Sequence, residues 1–301
     1  MAESQMYTTA VHAGEDPEAY LGSLSVPVYN SALFTFPDAE QGSAIHEGEQ
    51  PGYFYGRMGN PTQAALESAL TELEDGEASL ALASGMAAVT TALMTVVEHG
   101  DHIVAPESLY ATTFSLLESM LGPLGVTADF VDGTDPANYA AAIRPETKVL
   151  YLESPANPTM KLADIDAVVA LAGEHGLTTI MDNTFATPFN QQPLTRGVDV
   201  VVHSATKYLG GHGDLVAGAI IGSRGIVERA RCTRTRSSAG SSRRKPPGSS
   251  CAASGRWRCG WSVTTPTRWP SPGFLKAIRR SKRSITRAFP ATRSTSSPGV
   301  R

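Results

Sequence analysis

The stretch "VVHSATKYLGGHGD", Val201 to Asp214, sets a lysine, Lys207, behind two hydroxyls, Ser204 and Thr206, and ahead of a glycine cluster. Lysine is scarce here: up to residue 228 the chain has only Lys148, Lys161 and Lys207. An amine where an apolar run ends is a nucleophile toward a carbonyl, and neighbouring hydroxyls are donors for an anion. Two other run ends carry complementary chemistry. "LTTIMDN" ends in Asp182, with Asn183 and Thr184 behind it, and "ASLALA" leads into Ser84-Gly85-Met86, where a helical pattern starts at once. The first supplies a carboxylate. The second supplies free backbone N–H groups at the positive end of a helix dipole, a setting that binds phosphate. Singly, each has an ordinary explanation: a glycine that permits a tight turn, an aspartate that caps a helix, a lysine that reaches water.

The elements around these residues decide whether they can meet. Residues 1–60 are rich in Gly, Pro and aromatics with weak periodicity, which predicts an extended arm. A helix is predicted from Asn60-Pro61, because Asn caps, Pro suits the first turn and "TQAALESALTELE" has helical spacing. Beyond it, the strand-like runs "ASLALA", "DHIVAP", "KVLYLES", "LTTIMDN" and "VDVVVHS" alternate with helical ones. Strands apolar throughout, separated by amphipathic helices, predict an α/β fold with a mostly parallel sheet covered on both faces. Ligands bind beyond the carboxyl ends of such strands, where all three run ends would converge. A phosphate cradle, a carboxylate and a lysine with two hydroxyls are the parts that pyridoxal 5'-phosphate needs. The lysine forms a Schiff base with its aldehyde, the carboxylate pairs with the protonated pyridine nitrogen, and the helix start and hydroxyls hold the phosphate. Lys207 is therefore the expected cofactor-bearing lysine.

Composition bounds the reading. The 301 residues suffice for one large α/β domain or two ordinary ones, and 41% hydrophobic residues supply a real core. The N-terminus lacks the basic flank and apolar run of a signal peptide, and no stretch approaches eighteen uninterrupted apolar residues. A cytoplasmic protein with no membrane partner is expected. The net charge of -4 hides an asymmetry: residues 1–228 hold all 29 Asp and Glu but seven Lys and Arg, whereas the other eighteen basic residues follow Glu228. All three Cys (Cys232, Cys251, Cys259) and all three Trp also fall after Glu228, at spacings that give neither a metal pattern nor a disulfide framework.

The blocks "HAGE", "YFYGRMGNPT", "ALASGMAA", "YLESPANPTMKLADI", "DNTFATP" and "HSATKYLGGHGD", in this order over about residues 8–222, resemble the transsulfuration, or Cys/Met-metabolism, family of pyridoxal-phosphate enzymes. That family includes cystathionine γ-lyase and γ-synthase, methionine γ-lyase and the O-acylhomoserine sulfhydrylases. The resemblance implies a fold-type-I, aminotransferase-like large domain (61–228) after the N-terminal arm (1–60), and a homotetramer built as a dimer of dimers. It also implies roles. Lys207 carries the cofactor and moves protons, Asp182 pairs with the pyridine nitrogen, and Tyr110 stacks on the ring. Gly85, Met86, Ser204 and Thr206 hold the phosphate, and Asn157 lies near the ring hydroxyl. Tyr55 and Arg57 reach across a dimer interface to the neighbouring subunit's cofactor; a solvated surface charge is the ordinary alternative for Arg57. One position departs from the pattern: methionine γ-lyases have a cysteine two residues beyond the stacking tyrosine, and here Thr112 stands there. This argues against a dedicated methionine γ-lyase without choosing among the γ-lyases, synthases and sulfhydrylases.

Residues 229–301 read at face value as a basic, Ser/Arg/Pro-rich segment, the composition of a disordered or nucleic-acid-binding tail. The resemblance implies a helix running into a small C-terminal domain instead. "GRWRCGWSVTTPT" (255–267) can be written in codons that, read one base earlier, give "RTLALRMERHNAN". "LKAIRRSKRSITRAFP" (275–290) gives "LEGHPAIETVYYPGLP" in the same way. Both products are family-like, so the tail is expected to be a frameshift product without native fold. The slip begins after Ile226 and is complete by about Gly248. A nucleic-acid partner is then not expected, and the family's substrate-carboxylate arginine is assigned to no residue here. The expected activity is γ-elimination on a small sulfur amino acid, with γ-replacement as the alternative and impaired function in the chain as written.

Overall fold

In the computed structural model, residues 3–238 are described, with side-chain surroundings over residues 5–233. The elements run α1 (Glu3–His12), α2 (Ala39–Glu47), α3 (Pro61–Glu74), β1 (Ala78–Leu82), α4 (Gly85–Val96), β2 (His102–Pro106), α5 (Ala111–Ser115), β3 (Thr127–Val131), α6 (Pro136–Ala142), β4 (Thr147–Glu153), α7 (Ile165–His175), β5 (Thr178–Asp182), α8 (Thr187–Asn190), β6 (Val200–His203), β7 (Gly218–Gly222) and α9 (Arg224–Ser238). The strands form one sheet in the order β1-β7-β6-β5-β4-β2-β3. Neighbours are parallel from β6 to β3, while β7 is antiparallel to both β6 and β1. The C-terminal ends of β1, β2, β4, β5 and β6 therefore share one edge.

Alternate residues of each central strand feed opposite cores. Ile103, Tyr151, Ile180, Val200 and Ile220 face α4 and α9, while Val104, Leu150, Met181, Val201 and Ile221 face α7 and α3. Burial on both faces is what runs without polar alternation require. Fully burying one such side chain is worth about 1.5–3 kcal/mol, so the strand ends are anchored by their own cores.

The mostly parallel α/β sheet expected from the sequence is present, with differences. The arm is not wholly extended, since α1 and α2 lie within it, α2 capped by the Asp38 side chain on the Gln41 N–H. β3 and β7 complete the sheet although the sequence reading did not single them out. β3 is a half-exposed edge strand, "TADFV", and β7 is a short "GAIIG" bounded by glycines that reads as more of the preceding Gly-rich loop. Helix α9 crosses residue 229, where the tail was expected to begin: Val227 and Ala230 are fully buried, and the Arg231 guanidinium donates to Glu67 at 3.0 Å. The rest of the tail, on which the expectation of a frameshifted segment without native fold falls, lies outside the described residues. Among the described residues no helix is long and apolar enough to cross a membrane.

Candidate active site

The polar edge of the sheet encloses a cavity of about 240 Å³. Helix α4 enters it from β1. The Ser84 side chain caps α4 by accepting from the Ala87 N–H at 3.1 Å, which leaves the Gly85 and Met86 N–H groups without intrahelical acceptors at the dipole's positive end. Gly85 is required by close approach: a Cβ there would lie 2.6 Å from the Ser204 Cβ and 2.8 Å from its Oγ. The missing side chain lets the start of α4 sit directly against the exit of β6.

The exit of β6 supplies the amine. Lys207, whose N–H donates to the Ser204 carbonyl at 3.0 Å, lines the cavity. Lys161 instead reaches both Glu107 and Asp132 at 3.4 Å, whereas Lys207 forms no ion pair with a described residue. Thr206 is more constrained: its hydroxyl donates to the Ala217 carbonyl at 3.2 Å and accepts the Ala217 N–H at 3.0 Å.

Asp182 ends β5 and accepts the Thr184 N–H at 2.9 Å. Burial pushes its carboxyl above the usual range, opposed by the two Thr184 hydrogen bonds and by the charge of His203. A cation placed against Asp182 would relieve that penalty, which suits a protonated ring nitrogen. Tyr110, just before α5, and Asn157, in the loop after β4, also line the cavity. Tyr55 and Arg57 do not line it. They sit together in the arm, with the Arg57 guanidinium carbon 5.2 Å from the centre of the Tyr55 ring.

Two features escaped the sequence reading. Glu153 ends β4 and lines the same cavity, in register with Asp182. Its position at a strand end is the signal that singled out Asp182, but inside "YLESPANP" it reads as part of the strand. Behind the site, the fully buried Glu74 Oε1 meets His203 Nε2 at 2.5 Å and accepts from Asn183 Nδ2 at 2.8 Å. Glu74 thereby ties the residue after Asp182 to the residue before Ser204. Only the fold brings α3 to that point.

These groups fit pyridoxal phosphate: N–H donors and the Ser204 hydroxyl for the phosphate, a buried carboxylate for the ring nitrogen, and an amine for the aldehyde. Among the described residues no group of three His, Cys, Asp or Glu could hold a metal ion.

The comparisons agree with that chemistry. A sequence model described as "Cys/Met metabolism PLP-dependent enzyme" matches residues 7–246. The chain is 48% identical to the L-methionine gamma-lyase of Pseudomonas putida over 224 residues, covering 74% of this chain and 56% of that protein. It is 44% identical over 214 residues to a probable cystathionine gamma-synthase of Herpetosiphon aurantiacus, covering 71% and 64%. Its fold is similar to the crystal structure of cystathionine gamma-lyase from Lactobacillus plantarum complexed with L-serine, with a TM-score of 0.71 and 40% identity, over 76% of this chain and 58% of that one. The chain thus spans a little over half the length of the relatives it matches. The cavity's donor set and a family match over most of the chain agree: the chain belongs to the Cys/Met metabolism family of pyridoxal-phosphate-dependent enzymes.

Proposed function

We propose that the protein acts in the cytoplasm, as a homotetramer, in γ-elimination on small sulfur amino acids of the methionine or cystathionine type. The observation that carries this reading is the convergence of Lys207, Asp182 and the start of α4 on one cavity. When bound, pyridoxal phosphate supplies a carbonyl anchor for amines and a ring that accepts electrons. Lys207 Nζ is the amine that anchors it and afterwards takes and returns protons at the substrate's Cα and Cβ. Asp182 holds the ring nitrogen's proton through its charge, Tyr110 covers the ring face, and Asn157 serves the ring hydroxyl. The Gly85 and Met86 N–H groups hold the phosphate with Ser204. Thr206, whose hydroxyl now donates to the Ala217 carbonyl, would join them by redirecting that donor. Tyr55 and Arg57, which do not line this chain's cavity, serve a second subunit.

The name of the Herpetosiphon relative favours γ-replacement as a second reading. Thr112 is exposed and does not line the cavity, so nothing around it selects between the two. We also propose that the segment after Ile226 passes into a displaced reading frame by about Gly248. The codon readings support this, as does a family match that ends at residue 246. The test of function is α-keto acid release from L-methionine, cystathionine and an O-acylhomoserine by a frame-restored chain loaded with the cofactor, with and without a thiol. Release without thiol supports elimination, and product only with thiol supports replacement. No turnover of any of the three ends the reading.

A further inference from the structure

Two carboxylates close adjacent strands at the cavity, and the proposed function uses only one. Glu153, at the end of β4, is 7% exposed and pairs in register with Asp182 at the end of β5. Its two oxygens are committed to different segments. Oε2 accepts the Tyr110 N–H at 2.9 Å, and Oε1 accepts the Asn157 N–H at 2.7 Å. Tyr110 starts α5 with no side-chain cap of its own, and Asn157 lies in the loop between β4 and α7. One carboxylate therefore ties two loops whose side chains line the same cavity.

We propose that Glu153 is a positioning residue that fixes Tyr110 and Asn157 about the cofactor cavity, and that the tie holds only while its carboxylate is ionised. This rests on the cofactor reading above. An ionised carboxylate accepts at both oxygens, whereas protonation turns one of them into a donor facing an N–H. Among the titratable groups around this carboxylate, Asp182 from β5 and Tyr151 two residues back on β4 interact with its charge. Tyr110 before α5 and Lys207 beyond β6 line the same cavity, and Tyr139 of α6 and Lys161 line a second small hollow with it. Burial, then repulsion from Asp182, pushes the Glu153 carboxyl up to about 7, while the two N–H donors pull it down. A cation held by Asp182 offsets the repulsion, so loading the cofactor favours the tied state. Cofactor and proton compete through this one group.

The test follows the backbone amide resonances of Tyr110 and Asn157 by NMR across about pH 5–8, and the rate of pyridoxal phosphate release, in the full chain and its Glu153→Gln variant. In the unmodified chain both amides move together with one midpoint near neutrality, which falls when the cofactor is added, and release slows as the pH rises through it. The variant, whose amide group presents only one acceptor, lacks the shared midpoint and releases cofactor about tenfold faster at the upper end. Amides that titrate separately, or the same midpoint in the variant, overturn the tie. An intact tie with unchanged release overturns its role in positioning. A chain whose amides titrate together but which takes up no cofactor refutes the cofactor reading, and with it the positioning role, while the pH-gated tie survives. The titration of the unmodified chain needs no variant to fold.

Discussion

Asp182 sits where burial makes charge costly, and its worth depends on a partner that can use that charge. Asp182→Asn keeps the shape and removes the charge. In a frame-restored chain we expect turnover to fall by about 10²-fold or more, with much smaller loss of bound cofactor. Comparable losses in both would assign the carboxylate to binding alone. Glu153 carries a stability consequence with a definite sign. Its folded value of about 7 exceeds the ordinary 4.5, so its favourable contribution is complete below the ordinary value and is lost as pH rises through about 7. Glu153→Gln should remove on the order of 3 kcal/mol of pH dependence from the cofactor-free chain over that window, read from denaturant midpoints at several pH values. At this scale the placement of Lys207, Asp182 and Ser204 on one cavity was legible because each lies at or just beyond the end of an apolar run. Glu153 stayed hidden because its neighbours continue the strand pattern, and Glu74 because its partners are more than a hundred residues away.

Elements hold these side chains through close approaches that admit no extra atom. Gly85→Ala sets a Cβ against Ser204 and its backbone, so either α4 or the β6 exit must shift. We expect a loss of about 1–3 kcal/mol and cofactor affinity reduced at least tenfold. Gly173 in α7 is the internal comparison, since a Cβ there meets nothing within 4 Å. Gly173→Ala should leave cofactor affinity unchanged and raise stability by up to about 1 kcal/mol. Equal effects at the two positions would contradict the cradle geometry. The five strands read from sequence are buried on both faces and lie in apolar runs not bounded by glycine on both sides, where the pattern is clearest. β3 was missed because an edge strand needs no continuous apolar run, and β7 because its glycines mimic a loop. The helices of the arm were missed for a related reason: α1 and α2 bury few apolar residues, so their pattern is faint.

For the whole molecule, the contrast is between residues 1–228, which hold all 29 acidic residues, and the basic segment after Glu228, for which a displaced reading frame is proposed. Helix α9 is where the two meet, and through Ala230 and Arg231 it still packs on the sheet and on Glu67. Restoring the frame should raise α-keto acid release well above that of the chain as written, and resequencing the DNA behind residues 226–250 should reveal a one-base difference. Equal activity in both chains would refute the frame reading. The central claim, however, rests on one atom, Lys207 Nζ. The most direct measurement loads the chain with pyridoxal phosphate, reduces it with borohydride and maps the modified lysine by peptide mass spectrometry, beside Lys207→Ala, Lys148→Ala and Lys161→Ala. The account predicts the adduct on Lys207, its loss in Lys207→Ala and its retention in the other two variants. An adduct on Lys148 or Lys161, or one that survives in Lys207→Ala, would contradict it.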